Sequence, residues 1–159
     1  MSDAPRDKVV YDCNVFLQYL LSPTGPGGVY VAMALNGTVE LFLSRYVLME
    51  IAELPGKRVG RKRGITVAMT DALIESLLRR ATYLDPVLAI YEHPVDPDDS
   101  PYVNLALACQ ARLIVSRDRD LLDLMHAPTE WAADFRGRFP SLRVLEPQQY
   151  LAERRAEGL

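Results

Sequence analysis

Lys8-Val9-Val10-Tyr11-Asp12-Cys13-Asn14-Val15-Phe16 decides the fold class. Its first four residues are a short, mostly apolar run without polar alternation, the pattern of a strand buried on both faces of a parallel sheet. The run stops at an acid, and from Val15 to Leu21 apolar residues recur at helical spacing. A strand handing directly to a helix is half of a βαβ unit, and the rest of the chain repeats the pattern.

Residues 22–28 are a Pro/Gly turn cluster, and a helix is expected over 29–35, ended by Asn36-Gly37. Residues 39–43 read as the second strand, and Ser44 caps a helix over 46–53. Pro55-Gly56 closes that helix, and the basic residues 57–63 follow as a loop. A further helix starts at Thr66 or Thr70 and reaches about Tyr83, with Leu73, Ile74, Leu77 and Leu78 on one face. Asp85-Pro86 breaks the chain, and residues 87–91 form a short strand. Residues 93–101 hold three prolines and suit neither helix nor central strand. Then come a helix over 101–109, a strand over 113–115, a short helix from Asp120, a helix over 130–135, a strand over 142–145 and a helix over 147–156. The alternation predicts one α/β domain over residues 1–159, with its core in about 8–152, a mainly parallel sheet and right-handed crossovers.

The bulk properties fit. The chain has 159 residues, 49% hydrophobic and 25% charged, which is ordinary for a globular protein. No stretch approaches the roughly 20 apolar residues of a membrane span, and Met1–Asp7 shows no apolar run of signal type. A cytoplasmic location and no membrane partner are expected. Cys13 and Cys109 form no C-x-x-C pair and read as buried, reduced thiols. The net charge of −3 lacks the basic excess common in nucleic-acid binders, but the charges are segregated. Lys57, Arg58, Arg61, Lys62 and Arg63 stand together, while acids gather at Asp96, Asp98, Asp99 and at Asp118, Asp120, Asp123. Such a split can hold a cation beside an anionic polymer.

The phase of the acids against the strands points to a site. Asp12 follows the first strand directly, and Asp118 follows the strand over 113–115. In open parallel sheets, sites gather at the carboxyl ends of strands. Asp99 leads into a helix, where the dipole favours a negative group, and Glu50 lies on the helix that starts at the same rim. Asp12, Glu50, Asp99 and Asp118 can therefore converge. Clustered carboxylates repel unless a cation joins them. Oxygen ligands without nearby His or Cys favour Mg²⁺ or Mn²⁺, whose chemistry suits phosphodiester cleavage. In this reading Asp96 and Asp98 are solvated loop residues, and His93 and His126 are structural or surface residues. Arg117 and Arg119 either touch phosphate or balance the acids. The basic residues 57–63 are the candidate grip on the phosphates of such a polymer.

Several stretches carry a family resemblance. Residues 9–16 resemble the opening "hydrophobic strand, Asp, x, Asn" of PIN domains. Residues 43–51 resemble their Ser…Glu-Ile segment, 96–108 their Asp-Pro-x-Asp step, 114–122 their "Val-Ser-x-Asp-x-Asp-Leu-Leu", and 146–151 their closing Pro-x-x-Phe-Leu segment. The likeness covers about residues 8–152, and its nearest branch is the VapC-type toxins of toxin–antitoxin systems. It implies a Rossmann-like three-layer α/β/α sandwich, Mg²⁺- or Mn²⁺-dependent endoribonuclease activity, a homodimer and a cognate antitoxin. It implies metal ligation by Asp12, Glu50, Asp99 and Asp118, with Asp120 as a further acid. It also implies that Ser116 hydrogen-bonds near the metal and that Asn14 braces the first carboxylate. Ser100 stands where many relatives carry a second acid or amide, which leaves Asp98 and Asp99 as alternatives for the inward carboxylate. Two other readings stay open. A dehalogenase-like phosphohydrolase also has an Asp after strand one, but needs an acid at position 14, which is Asn. An inactive PIN-like module would bind RNA or protein without cutting.

Overall fold

Short apolar runs build the sheet. The computed structural model describes residues 5–158; residues 1–4, most of the expected signal-free start, and Leu159 lie outside the described residues. Strands β1 (Lys8–Tyr11), β2 (Glu40–Leu43), β3 (Thr82–Tyr83), β4 (Leu113–Val115) and β5 (Arg143–Leu145) pair in the order β3-β2-β1-β4-β5, every pair parallel. The central strands are buried along both faces, which is why their sequences do not alternate. Helices flank this sheet in an α/β sandwich. Among the described residues no helix is long and apolar enough to cross a membrane.

The first half of the chain places α1 (Cys13–Leu21), α2 (Pro26–Leu35), α3 (Arg45–Glu53), α4 (Arg58–Arg63) and α5 (Val67–Arg80) between β1 and β3. The second half adds α6 (Ser100–Cys109), α7 (Arg119–His126), α8 (Glu130–Arg138) and α9 (Pro147–Ala156). α6 packs against β1, β2 and β4, and α7 packs against β5 and α8. The core includes Val9, Val10, Phe16, Leu41, Leu43, Ile51, Leu105, Ile114 and Leu121. Burying each such side chain contributes about 1.5–3 kcal/mol. Connections leave β1 toward β2 on one side and reach β4 on the other. The strand order therefore reverses between β1 and β4, and a crevice opens outside their carboxyl ends.

Four expectations need correction. The basic stretch is not a loop but helix α4, because Gly60 lets it lie against the 3₁₀ turn at Leu54–Gly56. A Cβ on Gly60 would come within 1.8 Å of the Leu54 carbonyl oxygen. Gly64, at φ 74°, ends it in the left-handed conformation that glycine accepts without strain. The helix after Thr66 stops at Arg80 and gives way to edge strand β3. Residues 87–91 form no strand, because Asn104 Oδ1 takes the amide protons of Ile90 and Tyr91 at 3.0 and 2.8 Å. Finally, α1 and α2 begin two to three residues earlier than periodicity indicates, α2 at Pro26.

Candidate active site

The aspartates at the crevice owe their positions to strand ends and helix starts. Asp12 caps the start of α1, and its own amide continues the sheet by donating to Val115 O at 3.0 Å. Its carboxylate is 5% exposed. Ser116, fully buried after β4, donates its hydroxyl to Asp12 Oδ2 at 2.6 Å and accepts the Asp118 amide at 2.9 Å. One hydroxyl thus ties the loops after β1 and β4 together. Asp118 caps α7, accepting the Asp120 amide on Oδ1 at 2.8 Å. Burial pushes the Asp12 carboxyl up, Ser116 counters that, and Asp118 adds to it. The backbone amides of Cys13 and Asn14 also favour the charged form. Asn14 acts on Asp12 through its main chain here.

The loop before α6 supplies two more carboxylates. Asp99 is 6% exposed while Asp98 faces solvent with its carbonyl accepting the Tyr46 hydroxyl, so Asp99 is the inward acid. Asp96 is half-buried and caps the 3₁₀ turn at Pro97–Asp99. Carboxylate oxygens of Asp96, Asp99 and Asp120 lie within 4.8 Å of one another. Asp96, read from sequence as loop solvation, therefore belongs to the cluster.

His93 holds this arrangement and is fully buried. Its Nδ1 accepts from the amides of Val95 and Asp96, both at 3.2 Å, which leaves Nε2 to donate to the Asp120 carbonyl at 3.0 Å. Its own amide donates to Ser100 Oγ at 2.7 Å, and its ring packs on Trp131. Ser100 thus steadies the loop. The sequence signal was faint: a single histidine without a partner at a telling spacing.

Glu50 sits on α3 beside the crevice, where its charge reaches the hydroxyls of Tyr46 and Tyr102, but its Oε2 takes a salt bridge from Lys57 Nζ at 3.0 Å. Tyr102 is buried, and its hydroxyl accepts the Cys13 amide at 3.3 Å, between Asp12 and Glu50. Arg119 turns away to Asp123.

The electrostatics are one-sided. Among the described residues, none of Asp12, Asp96, Asp99, Asp118 and Asp120 forms a salt bridge. Among the described residues, Asp99 Oδ2 is buried without any hydrogen-bond partner. Burial first, then Asp118, Asp96, Asp12 and Asp120, push the Asp99 carboxyl up to about 8. An orphaned carboxylate oxygen facing four other acids fits a hard divalent cation, which prefers oxygen ligands.

Comparison with known proteins agrees on the fold. The family model of the PIN domain matches residues 8–120. Six chains of solved structures match. Among these is a crystal structure of VapBC2 from Rickettsia felis bound to a DNA fragment from their promoter. The superposition covers 87% of this chain and 98% of that chain, with 11% sequence identity and a TM-score of 0.51. No curated protein matches by sequence.

Proposed function

This chain belongs to the PIN-domain family, and from that premise we propose that it is a Mg²⁺- or Mn²⁺-dependent endoribonuclease, the toxin of a toxin–antitoxin pair. The observation that carries the reading is the buried, unpartnered Asp99 Oδ2 among four further carboxylates that lack a counter-charge. In this reading Asp99, Asp96 and Asp120 hold the cation most closely, Asp12 and Asp118 complete the site, and Glu50 joins when Lys57 releases it. A divalent cation there supplies positive charge against a phosphodiester and makes an attacking water more acidic. Ser116 keeps the Asp12 carboxylate aimed, His93 keeps Asp96 and Asp120 together, and buried Tyr102 holds the Cys13 amide next to Asp12.

Antitoxin and homodimer are part of the proposal. The solved relative's pairing as VapBC2 supports the first, and light scattering on the purified chain measures the second. We also read the chain as a single cytoplasmic domain. The test of function is direct. Single-stranded RNA incubated with the protein should be cut with Mg²⁺ or Mn²⁺ and stay intact with EDTA or with Asp12→Asn. RNA that binds but is never cut would leave the non-cutting PIN-like module as the answer.

Helix α4 offers the grip on substrate. Lys57 is held by Glu50, but Arg58, Arg61, Lys62 and Arg63 form no salt bridge among the described residues and are exposed. Replacing those four by Gln should weaken RNA binding at low salt. It should also lower the slope of log K against log[salt] by about 1–3, since each lost phosphate contact on a single strand removes about 0.7. A slope equal to wild type would remove α4 from the interface.

A further inference from the structure

A cavity opens on the β5 side of the acidic cluster. It has a volume of about 350 Å³ and is walled by α1, the start of α2 and the loops after β4 and β5. Gln18, Gly27, Tyr30, Arg117, Glu146 and Gln148 are among its lining. Its link to the acids is covalent and short. Arg117 lies between Ser116, which holds Asp12, and Asp118, while Val15 of the cavity wall comes one turn after Asp12.

Several features say what it takes. The volume is at the small end of ligand pockets and suits one nucleotide rather than a base pair. Arg117 of the lining and Arg155 of α9 both lie near enough to act on the Tyr30 hydroxyl, so this end of the rim carries two guanidinium groups against one lining carboxylate, Glu146, where the cluster beside it is purely acidic. Among the described residues the side chains of Gln18, Gln148 and Arg117 make no hydrogen bond or salt bridge, and none of the three is buried. Glu146, by contrast, is committed to capping α9 with Gln149. Tyr30 is buried with its hydroxyl donating to Pro147 O at 2.5 Å, so it is a wall and not a stacking platform. Pro26 and Pro147 add apolar surface for the face of a base. Two free amides, each a donor and an acceptor, can pair with a base edge.

Resting on the nuclease reading, we propose that this cavity seats one unstacked nucleotide of single-stranded RNA beside the scissile phosphate. Arg117 binds its phosphate, and the amides of Gln18 and Gln148 read its base. The cavity is thus the device that sets cleavage preference, since sequence-specific RNA recognition works on splayed, unpaired bases.

The test compares wild type with Gln18→Leu/Gln148→Leu and with Arg117→Gln, each checked for an unchanged thermal melt. A random single-stranded RNA pool is cut with Mg²⁺ and the ends are sequenced. Anisotropy of a labelled RNA oligonucleotide is measured without divalent metal. The double variant should flatten base preference at one position next to the cut and weaken binding of the preferred oligonucleotide by about tenfold, with the loss in KM more than in kcat. Arg117→Gln should weaken binding evenly across sequences and lower the salt slope by about 0.7. Preference and affinity equal to wild type in the folded double variant would overturn the inference. If wild type fails to cut, the nuclease reading fails, and the anisotropy measurement alone then decides the cavity: an unchanged Kd refutes it.

Discussion

Asp99→Asn is expected to abolish cleavage while making the metal-free protein more stable. The two effects have one cause. Asp99 carries the carboxylate oxygen that is buried without a partner, and burial plus four neighbouring acids push its carboxyl up to about 8. A carboxyl raised above its unfolded value contributes stability below about pH 4. That contribution is lost progressively as pH climbs to about 8, because the unfolded chain gives up the proton more readily. Asparagine keeps the shape without the ionisation, so the variant should gain on wild type across that window. We expect about 2 kcal/mol by pH 8, or roughly 4–8 °C in Tm for a chain of this size. Removing a ligand that the transition state needs should lower kcat/KM by about 10³-fold or more. Melts in EDTA from pH 4 to 9, beside cleavage assays in Mg²⁺, check both. A variant that cuts within tenfold of wild type, or that melts lower, would separate Asp99 from the site.

Metal affinity should rise steeply with pH. A cation can take the Asp99 carboxylate only after its proton leaves, so binding below about pH 8 carries a proton-release step. Between pH 6 and pH 8 the apparent Mn²⁺ affinity should increase at least tenfold, and then level off. Asp12, also raised by burial, steepens the dependence. Calorimetry in buffers of different ionisation enthalpy should find about one proton released per ion near pH 7, and Asp99→Asn should remove that release. A flat affinity with no proton exchange would mean that the ion, if any, sits elsewhere.

The placement of Asp12 and Asp118 at this candidate site was legible in the sequence because they stand in phase with strands that are easy to read. Runs such as Val9-Val10-Tyr11 and Leu113-Ile114-Val115 are buried on both faces, so their apolar character is continuous and their ends are sharp. Asp12 and Asp118 inherit that sharpness. Asp96 was not legible. It sits in a proline-rich loop where an acid normally faces water, and only the fold of His93 back onto Asp120 carries it inward. The pairing of Glu50 with Lys57 was equally hidden, because the two meet only through the turn at Leu54–Gly56. Helix α4 escaped notice because it has no apolar stripe to give it a period; it forms where Gly60 allows close contact with the preceding turn. Edge strand β3 is two exposed residues long, too short for any pattern.

The central claim is that carboxylates from the ends of β1 and β4 and from the loop before α6 share one divalent ion. A crystal soaked in Mn²⁺ and measured for anomalous scattering tests it most directly. The account predicts a peak within bonding distance, about 2.0–2.3 Å, of Asp99 and at least two of Asp12, Asp96, Asp118 and Asp120. A well-diffracting soak at pH 8 with no peak in the crevice, or with a peak bound to other residues, would contradict it.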